Sequence, residues 1–149
     1  MLDDLYNAKI LGYAGNIANV GRLDAPDATS TKVSKLCGSK VTVDIQSDGQ
    51  TVSDYAQTVR ACALGQAASA MVGEVVVGAS YDEIVAARDG LRDMLAGGEV
   101  YSGGRFDALK YLEPVKDHKS RHASTLLALE ALVEAMDEVR ASQAVKASA

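Results

Sequence analysis

Cysteine and histidine are scarce in this chain: two of each in 149 residues. Two cysteines do not make the disulfide framework of a small secreted domain. Cys37 and Cys62 also form no Cys-x-x-Cys pair, so their spacing alone names neither a zinc knuckle nor a redox motif. Basic residues fall short of acidic ones, 15 against 20, for a net charge of −5. That balance argues against a nucleic-acid partner, which needs a basic surface. No run of 18 apolar residues exists, so no membrane helix is expected. The start, MLDDLYNAK, is acidic and lacks a signal-peptide pattern, so a cytoplasmic location is expected. Gly-x-Ser-x-Gly, the P-loop and Gly-x-Gly-x-x-Gly are all missing. Gly12, Gly15 and Gly21 form no phosphate-binding pattern, and there is no internal repeat.

What is present suits one soluble globular domain. Nearly half of the chain is apolar, enough at this length to close one core. The domain is placed at residues 1–141, with SQAVKASA (142–149) as a frayed tail.

The periodicity gives the element order. Leu2, Leu5, Ile10 and Tyr13 suggest a short helix over residues 2–14. Residues 15–30 are rich in Gly, Asn and Asp and read as loop. KVTVDIQ (40–46) alternates Val41, Val43 and Ile45 with polar residues, as a half-buried strand does. Asp48-Gly49 suits a hairpin turn, and TVSDYAQTV (51–59) returns antiparallel. TKVSKLC (31–37) supplies a third strand. CALGQAASAMVGEVVVG is a small-residue helix ending at Gly78. SYDE (80–83) is a capping box for a helix running to Leu95 and stopping at Gly97-Gly98. RFDALKYLEP predicts a short helix ended by Pro114. Ser120 is expected to cap a last helix, in which Leu126, Leu129, Val133 and Met136 form the apolar stripe and Glu130, Glu134 and Asp137 the wet side. A helix, then antiparallel strands, then helices argue an α+β fold.

Five residues are candidates for chemistry: Cys37, Ser39, Cys62, His122 and Ser124. Gly38 lets the chain bend beside Cys37 and brings that thiol to a loop tip. Cys62 stands where a strand hands over to a helix, where free N–H groups and the helix dipole favour a thiolate, and Arg60 acts in the same direction. The competing reading makes both cysteines small buried apolar residues. His118 and His122 are four apart, the spacing of one helical face; otherwise they are solvated histidines among Lys116, Lys119 and Arg121.

In order along the chain, NVGRLD (19–24), CGS (37–39), CALGQAASAM (62–71) and SRHASTLLALEAL (120–132) resemble the IscU/SufU/NifU-type iron–sulfur cluster assembly scaffolds. Their pattern is an Asn-Val-Gly-x-Leu segment, a Cys-Gly-Asp loop, a Cys-Ala-Ile-Ser-x-Ala-Ser helix start, and an arginine shortly before a third cysteine that opens the last helix. The resemblance covers about residues 5–137. It implies a small antiparallel sheet of about three strands with helices on one side. It also implies a site at one end that holds a [2Fe–2S] cluster or Zn2+, and partners that are a cysteine desulfurase or iron–sulfur recipient proteins. Cys37 and Cys62 match the first two family cysteines. Ser39 stands at the aspartate position and Ser124 at the third cysteine, and Tyr13 stands near a position that is histidine in many members.

The ligand set that follows is Cys37, Cys62 and His122, with Ser39, Ser124 and His118 as secondary positions. Thiolates are soft ligands for iron and zinc, whereas an un-ionised serine hydroxyl is a poor one. The leading expectation is a non-enzymatic scaffold or carrier, monomeric or homodimeric. The alternatives are a metal-free thiol protein that accepts sulfur or undergoes redox at Cys62, and an interaction module that has lost the cluster.

Overall fold

In the computed structural model, residues 7–148 are described, with side chains through Val145. Helix α1 (Ala8–Ala14) leads into a long irregular segment. Strands β1 (Ala28–Ser34), β2 (Ser39–Ser47) and β3 (Val52–Arg60) follow. Then come helices α2 (Ala63–Val75) and α3 (Tyr81–Leu95), 3-10 turns over Asp107–Asp117 and Lys119–Arg121, and the long helix α4 (His122–Ser148). Asn7 caps α1, its side chain accepting from the N–H of Ile10 at 3.0 Å. Leu2 and Leu5 of the expected helix lie outside the described residues.

The strands form one antiparallel sheet in the order β1-β2-β3. Its inner face carries Val41, Val43, Ile45 and Tyr55, all buried, because the period of two puts them on one side. Helix α4 lies across β1 and β2, and α2 packs between α4 and α1. The helices therefore cover one face, as expected for an α+β fold. The core is continuous from Ile10 to Val139.

Several expectations need correction in detail. The third strand begins earlier than expected and stops at Ser34, before Cys37. Helix α2 ends at Val75, and Gly78 takes its positive φ of 95° beyond it. The guanidinium of Arg105 supplies hydrogen bonds at that end, donating to the carbonyls of Val75 and Val77 at 3.0 and 3.4 Å. Pro114 does not end its helix. Phe106, Leu109, Leu112 and Val115 are all buried and recur every third residue. That period matches the three residues per turn of a 3-10 helix, and the segment winds accordingly with Pro114 inside it. Ser120 lies in the second 3-10 turn and caps nothing. The carbonyl of Arg121 accepts instead from Ser124 and Thr125, at 3.2 and 2.7 Å. The capping box at Ser80 and Glu83 forms as read, and α3 ends at Leu95.

The outer face of the sheet is not simply wet. Asp44 alternates outward yet is buried, because the segment around Arg22 and Leu23 folds over it. Arg22 grips its carboxylate with two bonds of 2.6 and 3.1 Å, and the Thr29 hydroxyl and the Leu23 N–H donate to it. Burial pushes the Asp44 carboxyl up, but these donors outweigh it and hold it below the usual carboxylate range. A depressed folded value stabilises above the unfolded pKa and is lost as pH falls through the folded one. The melting temperature should therefore fall as pH drops from about 5 to 3, and less steeply in Asp44→Asn. Equal slopes would remove Asp44 from the acid sensitivity.

Candidate metal and cluster site

The β1–β2 hairpin presents Cys37. Ser34 and Ser39 pair across the end of the ladder and close a four-residue turn, Lys35 to Gly38. Gly38 has φ +73° and donates its N–H to the carbonyl of Ser34 at 2.8 Å, a turn that needs the left-handed region. The Cys37 sulfur lies 3.1 Å from the Ser39 hydroxyl and 3.5 Å from that of Ser34. Both hydroxyls are buried, while the thiol is half-exposed.

Cys62 is the residue immediately before α2. Its backbone is extended and its side chain makes no capping bond, so the thiol is free to face across to α4. There it lies 3.5 Å from the hydroxyl of Ser124. Gly65 makes this approach possible. A Cβ at that position would stand 2.8 Å from the Cβ of Ala61 and 3.2 Å from the Ser124 carbonyl. The first turns of α2 and α4 can meet only because residue 65 has no side chain.

Ser124 meets Cys62 in this way, and it is also the smallest of the influences that lower the Cys37 thiol. The structure thus gathers Cys37, Ser39, Cys62 and Ser124 at one end of the molecule. Hydrogen bonds from Ser34 first, then Ser39, lower the Cys37 thiol to about 7 against the opposing effect of burial, and Ser124 contributes least. Ser34 was not legible as a contributor until its register partner was known.

The histidines are placed differently. The Nε2 of His122 lies 2.9 and 3.1 Å from the carbonyls of Val115 and Lys116, which hold the ring on the 3-10 segment. His118 is the last residue before the second 3-10 turn. Among the described residues, no three His, Cys, Asp or Glu side chains form a group able to hold a metal ion. The structure therefore brings together the two thiols and two of the secondary positions, Ser39 and Ser124, and leaves His122 outside that group. Tyr13, near the position that is histidine in many members, packs its ring against Tyr111 at 6.4 Å between centroids.

The hydroxyls around Cys37 give a direct test. Its alkylation rate by iodoacetamide should rise with pH through about 7, since only the thiolate reacts. Ser39→Ala should move that midpoint upward, and an unmoved midpoint would assign the effect elsewhere.

The NVGRLD segment is anchored to β3 and to the last turn of α2. Asn19 adopts φ +61°, tolerated by asparagine, and its side chain donates to the Gly73 carbonyl at 2.9 Å. Its own carbonyl accepts from the N–H of Gln57 at 2.9 Å, and the Gly21 N–H returns to Gln57 at 2.8 Å. No described helix is long and apolar enough to cross a membrane.

Comparison with known proteins gives these features a common setting. The crystal structure of a nitrogen-fixing NifU-like protein (N-terminal) from Brucella abortus superimposes with a TM-score of 0.91 at 47% identity, over 94% of this chain and 97% of that one. The iron–sulfur cluster assembly scaffold protein IscU of Thermotoga maritima is 26% identical over 137 residues, covering 91% of this chain and 94% of its own. The IscU of Streptococcus pyogenes serotype M1 is 26% identical over 135 residues, covering 91% and 84%. The family model for the NifU-like N-terminal domain matches residues 5–144, from helix α1 through most of α4. With this sheet and its covering helices, the chain belongs to the NifU-like N-terminal domain family.

Proposed function

We propose that this chain is an iron–sulfur cluster assembly scaffold or carrier that binds its metal cargo through Cys37 and Cys62. The observation that carries this is two thiols, each beside a serine hydroxyl: Cys37 with Ser39 at 3.1 Å in a hairpin turn, and Cys62 with Ser124 at 3.5 Å at a helix start, Ser124 being also among the groups that lower the Cys37 thiol. Both sulfurs are half-exposed, which leaves them open to incoming iron and sulfide. The names of the Thermotoga and Streptococcus relatives support the same reading. The cargo is a [2Fe–2S] cluster or zinc; both are matched by soft thiolate donors. The chain acts by holding and handing over its cargo rather than by turnover. Its partners are a cysteine desulfurase that supplies sulfur and apoproteins that receive the cluster.

The hydroxyls support a labile site rather than a closed one. An un-ionised serine contributes a hydrogen bond to a thiolate more readily than a bond to iron, and Ser39 and Ser124 are already engaged that way. His122 would reach the thiols only by leaving the carbonyls of Val115 and Lys116. Anaerobic reconstitution with iron and sulfide tests the proposal: wild type should develop sulfur-to-iron charge-transfer bands, and His122→Ala should load equally. A colourless wild type that also purifies without zinc would overturn the reading. Loss of loading in His122→Ala would add a third ligand to it.

A further inference from the structure

The outer face of the sheet carries three cations around one groove. Lys40 and Arg60 are direct partners across the β2–β3 ladder, and both are exposed. The next outward pair along the ladder is Thr42 with Thr58. Arg22 grips Asp44, the following outward residue of β2, and its own side chain is 59% exposed. With Val59 these residues line a groove of about 390 Å3, and no carboxylate lines it. Asp44 does not fill that role, being buried and already engaged by Nε and Nη2 of Arg22. Among the described residues, Lys40 and Arg60 enter no ion pair. Like charges directly opposite each other in a ladder are unfavourable, and here nothing in the groove offsets them.

We propose that this groove binds the phosphate group of a small molecule. Charge sets the class. Lys40 and Arg60 bring two unmatched positive charges, and a phosphate monoester carries about −1.5 to −2 at pH 7. A single carboxylate would leave one of the cations unmatched. The donors fit as well. The Arg60 guanidinium offers the planar fork that suits phosphate oxygens, and Lys40 adds a point charge. Thr31 and Thr42 share a hydrogen bond of 2.9 Å in which either hydroxyl can donate, so with Thr31 as donor the Thr42 hydrogen is left for the ligand. Asp44 does not use the Nη1 of Arg22, which adds a donor at the far end on a guanidinium that the carboxylate holds in place. The volume lies in the range of small-molecule pockets and leaves room for an organic group on the phosphate. Long polyanions fit less well. A nucleic acid or an anionic membrane would also meet the rest of a surface whose net charge is −5.

The test titrates the chain, freed of metal by a chelator, with inorganic phosphate and with a nucleoside monophosphate, and follows the backbone amides by NMR. Chloride at equal ionic strength is the reference. Saturable shifts should centre on residues 40–42 and 58–60. Lys40→Gln/Arg60→Gln should weaken binding by about tenfold or more. Without phosphate that variant should melt no lower than wild type, since it loses a repulsion, and the rise in melting temperature that phosphate gives wild type should disappear. Cys37→Ser/Cys62→Ser should bind phosphate as wild type does. A nucleoside monophosphate that binds more tightly than inorganic phosphate supports the site and assigns the remaining volume to an organic group; equal affinities support it with free phosphate as the source. Shifts matched by chloride would reduce the effect to screening and overturn the proposal. So would affinity unchanged in Lys40→Gln/Arg60→Gln, affinity lost in Cys37→Ser/Cys62→Ser, or tighter binding of citrate than of either phosphate. The wild-type shift map decides the matter even if the lysine–arginine variant does not fold.

Discussion

The variant Cys37→Ser/Cys62→Ser is expected to lose all charge-transfer absorption after reconstitution while keeping its fold. Serine is nearly isosteric with cysteine, and both thiols are half-exposed, so little packing is lost. The chemistry changes far more than the packing. A hydroxyl is not ionised at neutral pH and is a hard donor, whereas a thiolate is the soft ligand that iron–sulfur chemistry requires. Bound iron should fall to the level of a buffer blank, with the circular dichroism spectrum unchanged. The melting temperature should move by no more than about 2 °C, the shift of a surface substitution costing about half a kcal/mol. Iron retained by this variant would place the site elsewhere. If the variant binds partners as tightly as wild type, docking and cluster binding are separate properties of the surface. A Cys37 single variant should lose the cluster as well, because Cys62 would be the one thiolate left in the chain.

The second large effect concerns stability. Gln57→Ala should destabilise the fold by about 3 kcal/mol, lowering the melting temperature by roughly 6–12 °C. Gln57 is fully buried on the inner face of β3, where the alternation would put an apolar residue. Its amide donates to the Ala18 and Ser69 carbonyls, both at 3.0 Å, and its oxygen accepts from the Tyr55 hydroxyl at 3.2 Å. Truncation leaves a buried hydroxyl and two carbonyls short of partners and opens a cavity as well. Gln57→Leu separates the two contributions. It refills most of the volume and restores none of the hydrogen bonds, so it should still lose about 2 kcal/mol. A leucine variant as stable as wild type would show that packing alone matters there. Because Gln57 ties β3 to α2 and to the segment before Asn19, its loss should also speed hydrogen exchange at Gly21 and Asn19.

Both predictions draw on features that differ in how far sequence could reveal them. Strands β2 and β3, their Asp48-Gly49 turn, the capping box at Ser80 and the stop of α3 at Leu95 were readable because each depends on neighbours within a few residues. The NifU-like resemblance was readable because its motifs are short and ordered; it matched Cys37 and Cys62 to two family cysteines and Ser39 and Ser124 to the aspartate and third-cysteine positions, and it led to His122 as a third expected ligand. The 3-10 segment was missed although its signal was present. Phe106, Leu109, Leu112 and Val115 keep a period of three, which a search for 3.6 reads as a short helix ended by Pro114. Asp44 and Gln57 broke the alternation expected of strands because partners distant in sequence satisfy them, and nothing local foretells that.

The sequence by itself determined most of the elements, the single core and the two cysteines as the candidate thiols. Tertiary structure decided which of those residues meet. Gly65 lets α2 and α4 touch closely enough for Ser124 to reach Cys62. The hairpin register sets Ser34 and Ser39 on either side of Cys37. The carbonyls of Val115 and Lys116 hold the His122 ring away from the thiols. The physical reason is range. Turns and caps are governed by backbone groups a few residues apart, whereas a site built from a hairpin and two helix starts exists only once the core has brought them together.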